Sequence, residues 1–138
     1  MYWYLKVLKQ YTRFNGRARR KEFWYFSLIN FLIWLFLTIF PLWLVSLVPQ
    51  PDDISNISNG MALVVLAIRL LPNIYSLGVL LPSFAVNIRR LHDVGKSGWW
   101  CLISIIPIIG ILIVLYFLVQ DSEPGANRFG RNPKESID

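Results

Sequence analysis

The single histidine of this chain, His92, stands in the run Arg89-Arg90-Leu91-His92-Asp93. Read as chemistry, the run offers an imidazole–carboxylate acid/base pair flanked by two guanidinium groups able to bind phosphate. Neighbouring side chains on a helix point about 100° apart, which argues against a catalytic dyad. The favoured reading is an end of a helix. Arg89 and Arg90 then meet the C-terminal dipole and anionic headgroups, and Glu22, His92 and Asp93 form a polar cluster. Gly95 supplies the turn, and Ser97 is an N-cap for the third apolar span. An intermediate reading pairs these charges with the Arg and Glu side chains of the N-terminal segment, on the same side of a membrane. That segment holds a second basic group, Arg17, Arg19, Arg20 and Lys21, beside Glu22.

A third set is out of place rather than reactive. Arg69, Asn73, Ser76, Ser83 and Asn87 share an arc of about 80° if they lie on one helix. Such a stripe in an apolar helix either lines a small pathway or subunit contact, or serves packing. In the packing reading, the Asn and Ser side chains bond carbonyls freed by Pro72 and Pro82. An Arg at mid-bilayer costs about 2.5–3.5 kcal/mol or more, so Arg69 is expected at the outer boundary, reaching for headgroups. Cys101 is the only cysteine, so no intrachain disulfide and no paired-Cys metal motif exists. No metal, cofactor or catalytic site is expected, and no nucleotide-binding or hydrolase motif occurs.

The elements that must position these residues follow from composition. The 138 residues are 55% hydrophobic and 16% charged, with six Trp, against about 25% charged in an average soluble domain. That excludes disorder and argues against a soluble globule, leaving an all-α integral membrane protein. Residues 2–14 have helical periodicity with Lys/Arg on one side and aromatics on the other, which predicts an interfacial amphipathic helix. Three apolar spans are predicted at 23–48, 61–88 and 99–119, joined by a polar loop at 49–60 and a short connection at 89–98. Pro41 is expected to kink or end the first span, and Asn15-Gly16 to stop the N-terminal helix. The tail, 120–138, is rich in turn formers.

The net charge of +6 is unevenly placed. Lys6, Lys9, Arg13, Arg17, Arg19, Arg20 and Lys21 precede the first span, and Asp52 and Asp53 follow it. The excess of Lys/Arg places the N-terminus in the cytoplasm, and Arg89, Arg90 and Lys96 on the same side. Three full crossings leave the tail outside. If the Ile-Ile-Pro-Ile-Ile-Gly centre of the third span bends into a re-entrant hairpin, the tail returns to the cytoplasm. The basic residues read as membrane-surface contacts rather than a nucleic-acid site.

The ordered set Phe14-Asn15-Gly16-Arg17-Ala18-Arg19-Arg20-Lys21-Glu22-Phe23-Trp24, Leu81-Pro82 with Ala85-Val86, Arg89-Arg90-Leu91-His92-Asp93, Ser97-Gly98-Trp99-Trp100 and Pro124-Gly125-Ala126-Asn127-Arg128-Phe129-Gly130 resembles the bacterial inner-membrane family called domain of unknown function 805. The resemblance spans nearly the whole chain and departs from it around 49–68, where the linker is longer. It implies a small inner-membrane protein and no activity. It points to Gly16, Arg17, Arg19, Arg20, Glu22, Arg89, Arg90, His92, Asp93, Asn127, Arg128 and Phe129, with the last three across the membrane from the others in a three-span topology.

The expected function is non-enzymatic, through contacts with anionic lipid headgroups at Arg17, Arg19, Arg20, Lys21, Arg89 and Arg90, or with another membrane protein or a second copy. A transporter or channel subunit using the stripe of the second span is the first alternative. A headgroup- or quinone-modifying enzyme using His92 and Asp93 is the second.

Overall fold

The computed structural model describes residues 2–47 and 59–135. Most of the expected loop at 49–60, with Asp52 and Asp53, lies outside the described residues. The order is α1 (Tyr2–Lys9), α2 (Arg20–Ser46), α3 (Asn59–Asp93), a 3₁₀ helix (Gly98–Ile105) and α4 (Ile109–Val119). No strand occurs among the described residues, only an isolated bridge between Asn127 and Gly130.

α2 and α3 have 27 and 35 residues, or about 40 and 52 Å at 1.5 Å per residue, more than a hydrocarbon core of about 30 Å. Their apolar surface does not turn inward: 0% of the most apolar window of α2 and 6% of that of α3 is buried. A core helix of a soluble domain would be mostly buried, so these helices suit a lipid environment. α2 runs through Pro41 to Ser46 instead of ending there. α3 contains Pro72 and Pro82 and continues to Asp93. The predicted 89–98 connection therefore shrinks to Val94–Ser97, and the Arg-Arg-Leu-His-Asp run is helical.

Contacts divide the chain into two units. One holds the residues up to Leu28 and those from Leu80 onward; the other is Ile29–Val79. The first has a core of Val7, Ala18, Phe23, Phe26, Val86, Val114 and Leu118, with Tyr4, Leu8 and Ile103 packed on it. The Tyr4 ring stacks on Phe26 with centroids 5.4 Å apart. α1 thus places one apolar face on protein and leaves Tyr2 and Leu5 exposed, and Tyr11 and Phe14 after it are exposed as well. It also stops at Lys9, well short of the predicted Asn15-Gly16, where the Gln10 amide is shared between the carbonyls of Lys6 and Val7. In the second unit, the Tyr75 hydroxyl donates to Asn30 Oδ1 at 2.5 Å. A groove of about 320 Å³ runs past Thr38, Pro41, Val45, Val65 and Arg69.

The segment expected as a third rod, Trp99–Val119, is instead two arms packed on each other. The chain reverses at Pro107-Ile108. Pro107 cannot continue a helix ladder, and Ile108 takes φ 67°, ψ −68°, a strained classic γ-turn geometry in which Ile109 N–H donates to Pro107 O at 2.8 Å. Gly110 makes the closure possible, because a Cβ there would sit 1.7 Å from the Ile103 carbonyl oxygen.

Candidate functional site

The end of α3 organises the first unit. A helix leaves its last four carbonyls without intrahelical partners. Here Gly95, at φ 73°, closes a Schellman turn: Lys96 N–H donates to Leu91 O at 2.9 Å and Gly95 N–H to His92 O at 3.1 Å. Ser97 then caps the 3₁₀ helix, accepting from Trp99 N–H. Carbonyls at this end of α3 also accept from far along the chain. Ala18 N–H donates to Arg89 O, Asn127 Nδ2 to His92 O, and Glu123 N–H to Asp93 O, all at 2.9–3.0 Å.

Asp93 is fully buried between two guanidinium groups. Arg17 Nε donates to its Oδ1 at 2.9 Å, and Arg90 Nη1 to Oδ2 at 2.7 Å. Ser122 Oγ adds a third bond, 2.6 Å from Oδ2. The remaining donors of Arg17 go to carbonyls: Nη1 to Gly125 and Gly130, Nη2 to Asp93 and Glu123. Arg90 reaches the end of α4 rather than of its own helix, donating from Nε to Leu118 O at 3.1 Å and from Nη2 to Gln120 O. A cation on those carbonyls is favoured by their partial negative charge.

Glu22 is the second buried carboxylate. Its Oε1 accepts from Arg89 Nη1 at 2.8 Å, and its Oε2 lies 3.4 Å from Lys6 Nζ. Arg89 Nη1 also donates to Gln10 Oε1. His92 uses neither acid. Its Nδ1 lies 3.2 Å from Gly16 O, an oxygen that can only accept, so Nδ1 carries the proton. Its ring stacks on Phe129, with centroids 3.8 Å apart and planes 4° from parallel. Arg128 lies over the Phe129 ring.

The basic residues expected at headgroups therefore divide. Arg17, Arg89 and Arg90 are inside, at 9%, 2% and 0% exposure, because each carries a buried carboxylate or helix end. Arg19 and Arg20 are half-buried. Arg19 lies over the Trp3 ring and donates to Pro133 O, and Arg20 pairs with Asp121 at 3.0 Å. Lys21 is exposed. The tail residues Asn127, Arg128 and Phe129 dock on the Arg-His-Asp turn, whereas a three-span topology was expected to place them across a membrane from it. Composition alone did not flag Gln10, Gln120, Ser122 and Glu123. The available signal was that buried Asp93 and Glu22 require partners. Asp121, near the start of the tail, has its carboxyl held below the usual range by a hydrogen bond from Lys134 and one from the Ser122 N–H.

The stripe of α3 bonds its own helix. Asn73 donates to Arg69 O, Ser76 to Pro72 O and Asn87 to Ser83 O. These are packing bonds, though to carbonyls other than Ile68 and Gly78, one turn before the prolines. Arg69 is exposed beside the apolar groove. Among the described residues, no group of three His, Cys, Asp or Glu side chains converges on a metal position. What the site does chemically is hold a tail, a turn and the N-terminal segment together through buried ion pairs.

Over residues 11–131 the chain matches the family described as Protein of unknown function (DUF805). It is 42% identical over 134 residues to Inner membrane protein YhaH of Escherichia coli (strain K12), covering 97% of this chain and 98% of that protein. It is 40% identical over 134 residues to Inner membrane protein YhaI of the same organism, covering 97% of each. No solved structure matches the chain.

Proposed function

The chain belongs to the DUF805 family of bacterial inner-membrane proteins, and from that premise we propose that it is a lipid-contacting membrane protein with an ion-paired cytoplasmic head. In this reading α2 and α3 each cross the bilayer. The 3₁₀–α4 hairpin enters from the cytoplasmic side and returns. Its arms have eight and 11 residues, about 16 Å each at 2.0 and 1.5 Å per residue, half the hydrocarbon thickness. Its tip is apolar and exposed, with Ile105 at 77% and Ile108 at 73%.

The single observation that carries the lipid reading is the sorting of cations. Arg17, Arg89 and Arg90 are buried, while Lys9, Arg13 and Lys21 stay exposed, as do the rings of Tyr11, Phe14 and Trp24 close to them in sequence. Exposed Lys/Arg next to exposed aromatics is the composition of a surface seated among anionic headgroups. Asn73, Ser76 and Asn87 of the α3 stripe bond their own helix backbone, which favours this reading over a transport path.

Native mass spectrometry of the purified protein tests it. Phosphatidylglycerol is expected to be retained over phosphatidylcholine. Replacing Lys9, Arg13 and Lys21 together with Gln should remove about 3 kcal/mol, at roughly 1 kcal/mol per surface cation, or on the order of 100-fold in preference. Equal retention of the two lipids by the unaltered protein would reject the reading.

A further inference from the structure

Arg89 is 2% exposed, yet among the described residues only one of its three nitrogens has a hydrogen-bond partner. Nη1 donates to Glu22 and to Gln10. Nε and Nη2 are both buried and have no hydrogen-bond partner among the described residues. These are not two arbitrary donors. The Nε–H and the adjacent Nη2–H lie on the same edge of the planar guanidinium and point the same way, which is the fork that grips two oxygens of one oxyanion. Buried donors of a folded protein are nearly always paired, so an intact fork without a partner marks a place for an acceptor.

The surrounding charge says which acceptor. Glu22 is a single carboxylate facing both Arg89 and Lys6, and Arg13 adds a further positive charge to the field at Arg89. Among the described residues, the other carboxylates are engaged elsewhere: Asp93 by Arg17 and Arg90, Asp121 by Arg20 and Lys134, Glu123 by Asn127, and Glu135 by Asn132 and the Gly125 N–H. The cluster is left with excess positive charge and no described protein anion to meet it. Gln10, which shares Nη1, opens the exposed stretch Tyr11–Asn15, so this guanidinium lies just beneath the surface that carries Lys9 and Arg13.

We propose that the Nε–Nη2 edge of Arg89 is a binding site for a phosphate oxyanion, either a phospholipid headgroup or free phosphate. The site does not depend on the exposed lysines of the lipid-contacting surface.

The full chain in detergent, labelled with ¹⁵N-arginine, provides the test. The Arg89 Nε–H resonance is identified by its loss in Arg89→Lys, which keeps a cation beside Glu22 but has no fork. In the unaltered protein, inorganic phosphate or short-chain phosphatidylglycerol should shift this resonance saturably, whereas chloride should not. A shift with both probes assigns the site to phosphate as such, and a shift with phosphatidylglycerol alone assigns it to a headgroup. Arg89→Lys should lower affinity for the active probe at least tenfold. Should that variant not fold, Gln10→Ala, which touches the same guanidinium, identifies the resonance instead. Lys9→Gln with Lys21→Gln should weaken lipid retention and leave the phosphate shift intact, which separates this site from the surface one. A resonance that responds to neither probe would mean that the edge holds water only, and would overturn the proposal.

Discussion

Arg17 has five N–H donors, and each has an acceptor: Asp93 Oδ1 and the carbonyls of Gly125, Gly130, Asp93 and Glu123. Lysine would keep the charge opposite Asp93 but could not address a carboxylate and a fan of carbonyls from one plane. Asp93 would still face two cations, but the carbonyls of Gly125, Gly130, Asp93 and Glu123 would lose most of their donors, and a hydrogen bond to a charged group is worth about 1.5–3 kcal/mol. Arg17→Lys is therefore expected to lower the melting temperature in detergent and to open the chain after Gln120 to limited proteolysis. A variant as protease-resistant as the parent would show that the tail is held by something else. Pairing of the Arg-His-Asp run with the N-terminal segment was open in the sequence only as an intermediate reading beside the favoured helix-end cap. Glu22, His92 and Asp93, expected as one cluster, take separate partners. The burial of Arg17, Arg89 and Arg90 was not legible. A helix-end argument sends cations toward headgroups, and only the placement of Glu22 and Asp93 inside draws these three inward.

Among the elements, the hairpin was the hardest to read. Trp99–Val119 is long and apolar enough for a span, and a length criterion cannot distinguish one rod from two half-length arms. The local signals were Pro107 and Gly110, and they admit either a kink or a reversal. The structure resolves the choice through Gly110, where a Cβ would overlap the Ile103 carbonyl at 1.7 Å. That obstacle is backbone on the opposite arm, so it cannot rotate away as a side chain would. Gly110→Ala should cost about 3 kcal/mol, the upper end of ordinary overpacking. Gly78→Ala is the matched control, because nothing lies within 4 Å of a Cβ there, and a mid-helix Gly-to-Ala change gains up to about 1 kcal/mol. Thermal unfolding followed by circular dichroism should separate the two variants in opposite directions. A Gly110→Ala protein as stable as the parent would mean that the arms are not in contact. The lengths of α2 and α3 were closer to legible, since their apolar runs are continuous, although α2 runs on through Pro41, which was expected to kink or end it.

For the molecule as a whole, composition sufficed for the class but does not reach the long-range contacts. A chain with 16% charged residues and two long helices whose apolar surface faces outward belongs in a bilayer, as its inner-membrane relatives do. Which side the tail occupies depends on contacts between residues more than 70 positions apart, such as Arg17 with Asp93 and with Gly125, and no local pattern encodes these. The contacts nevertheless constrain topology sharply. Arg17 precedes α2, the Asp93 turn follows α3, and the tail follows α4, so an ion-paired cluster of all three requires them on one side of the membrane. The proposed arrangement of two crossings and a re-entrant hairpin meets that requirement. Reporter fusions after Gly60, Gly95 and Glu135 decide the matter. We expect a periplasmic signal at Gly60 and cytoplasmic signals at Gly95 and Glu135, in keeping with the basic N-terminal segment. A periplasmic signal at Glu135 would separate the tail from Arg17 and Asp93 by a bilayer, and the buried ion pairs could not then hold it.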